Sequence, residues 1–213
     1  MPMMLELFAG TGSVGKVAQV MGYDVLSLDR DMEADIQIYI MDWDYTDLPS
    51  GIFDVIWASP PCTEYSRAKT VGIRDIEGSN EVVKRTLAII EYFKPKYWII
   101  ENPQTGLLKE QEFMRYIPYN DIDYCKYGMQ YRKRTRLWNN IDGWHPKPLC
   151  QRDCEAMNET RTRHNQEAQQ AGSSAERRLT QRKFKTTELY IVPSELIKEI
   201  LLGCDLDAVI ASG

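Results

Sequence analysis

Met4-Leu5-Glu6-Leu7-Phe8-Ala9-Gly10-Thr11-Gly12-Ser13-Val14-Gly15 sets the fold: an apolar run closes on glycines, and a helical stretch from about Ser13 to Met21 follows. Further apolar runs repeat that beginning. Strands are expected at Asp24–Leu28, running into Asp29, at Ile36–Ile40, ending near Asp42, at Phe53–Ala58 and at Tyr97–Ile100. A helix is expected over Glu81–Phe93, with Val82, Val83, Leu87, Ile89 and Ile90 on one broad face. Strands alternating with helices, most of them near-continuous apolar runs, predict an α/β chain with a mainly parallel sheet covered on both faces. Ligands of such sheets lie beyond the carboxyl ends of the strands, where Gly10, Asp29, Asp42, Cys62 and Glu101 all fall.

Gly10, Gly12 and Gly15 have the G-x-G-x-x-G spacing, and Asp29 follows at about the distance expected of a ribose-binding acid. Alone, the pattern fits either a plain strand–helix turn or a site for a nucleoside-containing cofactor, nicotinamide or S-adenosylmethionine. Asp42 is expected to accept from an adenine amino group and Trp43 to stack on that ring, although a capping acid and a core-edge indole would read the same way. Cys62 follows Pro60 and Pro61, so stiff backbone sets the direction of its sulfur. Glu101, in Ile99-Ile100-Glu101-Asn102-Pro103, is expected to hold a carboxyl in the same cleft and to donate to a ring nitrogen. A thiol and an acid so placed suit group transfer to an electron-poor ring. Carbon 5 of cytosine becomes nucleophilic once a thiolate adds to carbon 6 and an acid supports N3.

With those residues assembled, the chain resembles the C5-cytosine methyltransferase family. Leu5-Glu6-Leu7-Phe8-Ala9-Gly10-Thr11-Gly12 resembles its S-adenosylmethionine turn, Ser59-Pro60-Pro61-Cys62 its nucleophile loop, Glu101-Asn102 its N3-contacting pair, and Arg134-Thr135-Arg136 its Arg-x-Arg strand. The resemblance implies a Rossmann-like, doubly wound, mostly parallel seven-stranded sheet. It also implies S-adenosylmethionine bound by Phe8, Ala9, Gly10, Thr11, Gly12, Asp29, Asp42 and Trp43, and catalysis by Cys62, Glu101, Arg134 and Arg136. Three positions and one motif depart from the family pattern. Thr63 and Pro103 replace its Gln and Val, Arg132 stands where a Gln is usual, and the last motif survives only as Leu189-Tyr190-Ile191-Val192-Pro193.

Residues 1–140 are read as the catalytic domain, 141–185 as a reduced recognition insert, and 186–213 as a return to the catalytic domain through a helix over Ser194–Leu202. Two further strands are expected at Ile122–Lys126 and Arg136–Ile141, and a helix near Asn165–Gln170. Residues 126–185 hold 14 Lys/Arg against 6 Asp/Glu, and the other residues 12 against 25, which together give the net −5. That asymmetry suits a polyanion-binding face on an acidic scaffold. The expected partner is cytosine-containing DNA, bound largely through phosphates and with the target base flipped out. A tRNA or single-stranded substrate is the alternative, and a catalytically silent DNA-binding relative a further one. His145, Cys150, Cys154 and His164 are expected to hold a structural zinc. Five scattered cysteines, no apolar run approaching the ~20 residues of a membrane span and no secretory pattern predict an intracellular protein. Its compartment is expected to be the cytoplasm of a bacterial or virus-infected cell, with the nucleus left open.

Overall fold

The computed structural model describes residues 1–168 and 184–204. Seven strands form one sheet: β1 (Met3–Leu7), β2 (Asp24–Asp29), β3 (Ile36–Gln37), β4 (Val55–Ala58), β5 (Tyr97–Pro103), β6 (Tyr119–Asp123) and β7 (Arg134–Asn139). Their order is β3-β2-β1-β4-β5-β7-β6. The first five run parallel, while β7 lies antiparallel to both β5 and β6. The order reverses between β1 and β4, so a crevice opens beyond their carboxyl ends. The glycine turn and the Cys62 loop leave the sheet at that crevice.

The strands are buried on both faces because alternate residues enter two different layers. Met4, Val55, Trp57, Ile99 and Leu137 pack with Val14 and Ala18 of α1 (Ser13–Val20) and with Leu196, Ile197 and Ile200 of α3 (Ser194–Gly203). Leu5, Leu7, Ile56, Ala58 and Ile100 pack with Val82, Val83, Ile89, Ile90 and Phe93 of α2 (Ile76–Phe93). Among the described residues, no helix is long and apolar enough to cross a membrane.

Several boundaries differ from the sequence reading. Helix α2 starts at Ile76 because Asp75 accepts the Gly78 N–H at 2.8 Å, a cap that precedes the apolar stripe and leaves no trace in it. It stops at Lys94, left-handed at φ 47°, where the following Pro95 disfavours helical backbone. Strand β3 ends at Gln37, and Ile38–Ile40 lead into a turn, so Asp42 lies beyond the strand rather than at its tip. Strand β6 ends at Asp123 and is followed by a 3-10 turn, Tyr124–Tyr127, closed by Gly128 at φ 88°. Asn165 lies in a bend and Gln166 bridges to Tyr131, so residues 165–168 are not helical; the remainder of the helix expected near Asn165–Gln170 falls outside the described residues.

Candidate active site

The glycine turn is built by backbone that ordinary side chains resist. Phe8, Gly10 and Gly12 have φ of 60°, 56° and 65°, and a bulky residue in the left-handed region marks a strained turn that its surroundings enforce. Asp29 at the end of β2 supplies part of that enforcement. Its Oδ2 accepts the Gly10 N–H at 2.8 Å, and its Oδ1 accepts from Asp31 and Met32. Gly15 is needed for close packing, since a Cβ there would stand 2.5 Å from Glu6 Oε2, which accepts the Gly15 N–H. Burial pushes the Glu6 carboxyl up to about 7.

The return segment completes this corner. A Cβ at Gly10 would lie 4.0 Å from Tyr190 Cβ, and the Val192 N–H donates to Ser13 Oγ at 3.1 Å. Thr11 Oγ1 is buried here without a hydrogen-bond partner, which is costly unless a ligand answers it. Strained glycine backbone, an orphaned hydroxyl and a fixed carboxylate suit a polar nucleoside-bearing group, so these residues fit S-adenosylmethionine. Trp43 does not follow its expected role. Its indole is 7% exposed and packs edge-on to Tyr45 and against Phe93, in the layer beneath the sheet. Arg85 donates to the Trp43 carbonyl, and Asp42 is exposed in the preceding turn.

Cys62 lies four residues beyond β4, and Glu101 lies in the neighbouring β5, one residue past the Ala58–Ile100 pair. Asn102 Nδ2 donates to the Pro60 carbonyl at 2.9 Å and so fastens the Cys62 loop to β5; its Oδ1 is buried and unpartnered. Cys62 is half-buried. Burial pushes its thiol up, the Lys133 ammonium opposes that, and the Glu101 carboxylate adds to it.

Glu101 is buried at the foot of this cleft. Its Oε1 accepts from Tyr124 Oη at 2.9 Å and from Lys133 Nζ at 3.4 Å. The Lys133 ammonium also donates to the Leu189 carbonyl and lies 4.9 Å from the Tyr124 ring centre. Neither expected arginine occupies that place. Arg134 is doubly hydrogen-bonded to Asp123 and Arg136 to Asp121, both carboxylates of β6. The register explains the difference: Glu101 faces Leu137, so Thr135 and Lys133 share its side of β7 and the arginines take the other. Lys133 and Tyr124 were missed in the sequence because Arg-Lys-Arg-Thr-Arg offers a cation at either parity.

A second cluster also departs from expectation. Ligand atoms of Cys125, Cys150, Cys154 and His164 lie within 4.8 Å of one another. His145 is exposed and stands outside the group; Cys125, directly after β6, takes its place. Between this cluster and Lys133 opens a cavity of about 470 Å³, walled in part by Arg132, Lys133, Arg134, Arg152, Arg163 and His164. Its basic lining is what a polyanion backbone would meet.

A family model described as C-5 cytosine-specific DNA methylase matches residues 3–132. A protein of Frog virus 3 (isolate Goorha), named "Probable DNA (cytosine-5)-methyltransferase", is 36% identical over 221 residues, which cover 94% of this chain and 99% of that protein. Among solved structures, a prophage-encoded E. coli protein described provisionally as a DNA modification methyltransferase is similar with a TM-score of 0.52 and 15% identity. The likeness covers 70% of this chain and 52% of that one, and at that identity it speaks for the fold alone.

Proposed function

Because the chain belongs to the C-5 cytosine-specific DNA methylase family, we propose that it methylates C5 of cytosine in DNA through a covalent bond between Cys62 and C6 of the base. The observation that carries this reading is that Cys62 and Glu101 stand at the carboxyl ends of the neighbouring strands β4 and β5, with Lys133 hydrogen-bonded to Glu101. S-adenosylmethionine held over Phe8–Gly12 would supply the electrophilic methyl group.

The chain's own residues do the rest. A cytosine must leave the duplex stack before a thiol can reach its C6. Glu101 is fixed through Oε1 by Tyr124 and Lys133, which leaves its other oxygen to hold N3 of the extruded base. The Cys62 thiol gives its proton to solvent, and the thiolate sulfur bonds to C6 while the C5–C6 π pair shifts to C5 and is shared through C4 with N3 as negative charge. Lys133 favours both the thiolate and that charge. After C5 gains its methyl, loss of the C5 proton restores the double bond and expels the Cys62 thiolate.

Residues 141–168, with the basic cavity beside them, form the recognition insert of this reading. So short a segment can position few side chains on base edges, so phosphate contacts dominate and sequence preference is short. DNA as substrate and five cysteines with no disulfide suit a reducing intracellular compartment.

The test is methyl transfer from labelled S-adenosylmethionine to duplex DNA, single-stranded DNA and tRNA, followed by nucleoside analysis. Label in 5-methylcytosine of duplex DNA, lost with Cys62→Ala, supports the reading. Label confined to tRNA or single strands moves the substrate, and none in any arm removes the activity.

A further inference from the structure

The segment after β7 carries a group of side chains that the methylation chemistry does not use. Among the described residues, 140–168 hold no helix or strand, and the buried cluster at this end is only Cys125, Cys150, Cys154, Ala156 and Met157. Three thiols are a poor substitute for a hydrophobic core. None of them is in a disulfide, and an odd number cannot pair off. Their sulfurs and the His164 imidazole nevertheless lie within 4.8 Å of one another, and Cys150 Sγ stands 3.5 Å from His164 Nε2. Tetrahedral zinc with bonds of ~2.3 Å to sulfur and ~2.0 Å to nitrogen places its ligands about 3.5–3.8 Å apart along each edge. The cluster has that donor set and that count, its Cys150–His164 edge is 3.5 Å, and none of its ligand atoms lies more than 4.8 Å from another.

The surrounding chain is shaped to hold those four atoms. Arg152 adopts φ 68° in the turn between Cys150 and Cys154. Asn158 Oδ1 accepts the Thr162 and Arg163 N–H groups, and Met157 and His164 form an antiparallel bridge that brings the imidazole back over the cysteines. Cys125 comes from the other side, two residues past the end of β6. The buried Asp123 joins the two parts: its Oδ2 accepts the Cys150 N–H at 3.0 Å while both oxygens accept from Arg134.

We propose that Cys125, Cys150, Cys154 and His164 bind one structural zinc ion, which fastens the insert to the catalytic body and holds the Arg152, Arg163 and His164 wall of the basic cavity. The site is independent of the methylation reading, since it uses neither Cys62 nor Glu101.

The experiment is metal analysis of protein purified from zinc-supplemented cells, with His164→Ala, His145→Ala and Cys125→Ser alongside. One zinc per chain is expected in the unaltered protein and in His145→Ala, with loss in the other two. Equal loss from His145→Ala and His164→Ala, or a folded metal-free protein, overturns the proposal. Should Cys125→Ser fail to fold, cobalt in place of zinc in the unaltered chain decides. The intense visible absorption of a tetrahedral thiolate-rich site supports the proposal, and weak octahedral absorption contradicts it. Limited proteolysis reads the fastening itself. Chelation is expected to open cleavage within 145–168 while the sheet's circular dichroism persists, and an unchanged pattern after complete metal removal contradicts the structural role.

Discussion

A lysine ammonium 3.4 Å from a buried carboxylate and close to a half-buried thiol serves two groups with opposite needs. Toward Glu101 it helps fix one oxygen; toward Cys62 it counteracts the desolvation that pushes the thiol up. Lys133→Met should therefore lower kcat by about 10²-fold, the scale of removing one preorganised charge-stabilising donor. The sign of the pH effect follows from the thiol. Without the cation its pKa rises, so the ascending limb of the rate–pH profile should move to higher pH, and Lys133→Arg should restore most of that position. A Lys133→Met profile of unchanged shape would show that the residue only packs. Parity is why this lysine could not be read from the sequence. The basic run shows that cations are present, but only the Glu101–Leu137 register decides which of them faces the acid.

Among elements, the loop from Thr63 to Arg74 links the nucleophile to α2 and has little core of its own. Arg74 orders it by donating to the carbonyls of Glu64, Ser66 and Lys69, while Glu64 accepts from Lys69 and from the Asp75 N–H. Arg74→Ala leaves those carbonyls to water and should lower kcat about tenfold while changing stability by only about 1 kcal/mol, because Tyr65, which anchors the loop in the core on the α2 side, is not among the partners of Arg74. Equilibrium unfolding beside single-turnover kinetics checks the split, and a comparable fall in stability would place the loop within the cooperative core. The elements that the sequence revealed were those with unbroken apolar runs: β1, β4 and β5, buried on both faces. It was misleading where the run was not structural, as at Ile38–Ile40, and silent where polar residues do the work, as at the Asp75 cap. The Cys/His cluster falls between these cases. Cys150, Cys154 and His164 were visible as near neighbours, but Cys125 arrives by way of the β6–β7 hairpin, and local spacing drew in His145 instead.

Across the whole molecule, the parallel sheet leaves Glu6 beneath α1 as a buried acid with a carboxyl near 7, against an ordinary 4.5. A folded-state value above the unfolded one contributes stability that is fully present below pH 4.5 and is lost as pH rises to about 7. That difference corresponds to about 3 kcal/mol, so urea unfolding should show stability falling through this window and Glu6→Gln should flatten the fall. A parallel slope in both proteins would assign it to other groups. The mainly parallel sheet and the rim of candidate residues were legible as a pattern of strand ends, and the doubly wound topology as what the family resemblance implied, whereas the switch between β1 and β4 appears only in the strand order. The dominance of Asp29 as a turn-builder and the burial of Trp43 were not, because both depend on what packs behind the crevice.

The central claim, that the sulfur of Cys62 bonds to an extruded cytosine held by Glu101, is tested most directly by covalent trapping. Duplex DNA containing 5-fluorocytosine, incubated with the protein and S-adenosylmethionine, cannot release the enzyme because C5 has no proton to lose. Intact-mass spectrometry after denaturation should show protein joined to DNA with one added methyl group, absent for Cys62→Ala and strongly reduced for Glu101→Gln. An adduct that survives Cys62→Ala, or methylation of ordinary DNA with no trapped species, would contradict the account.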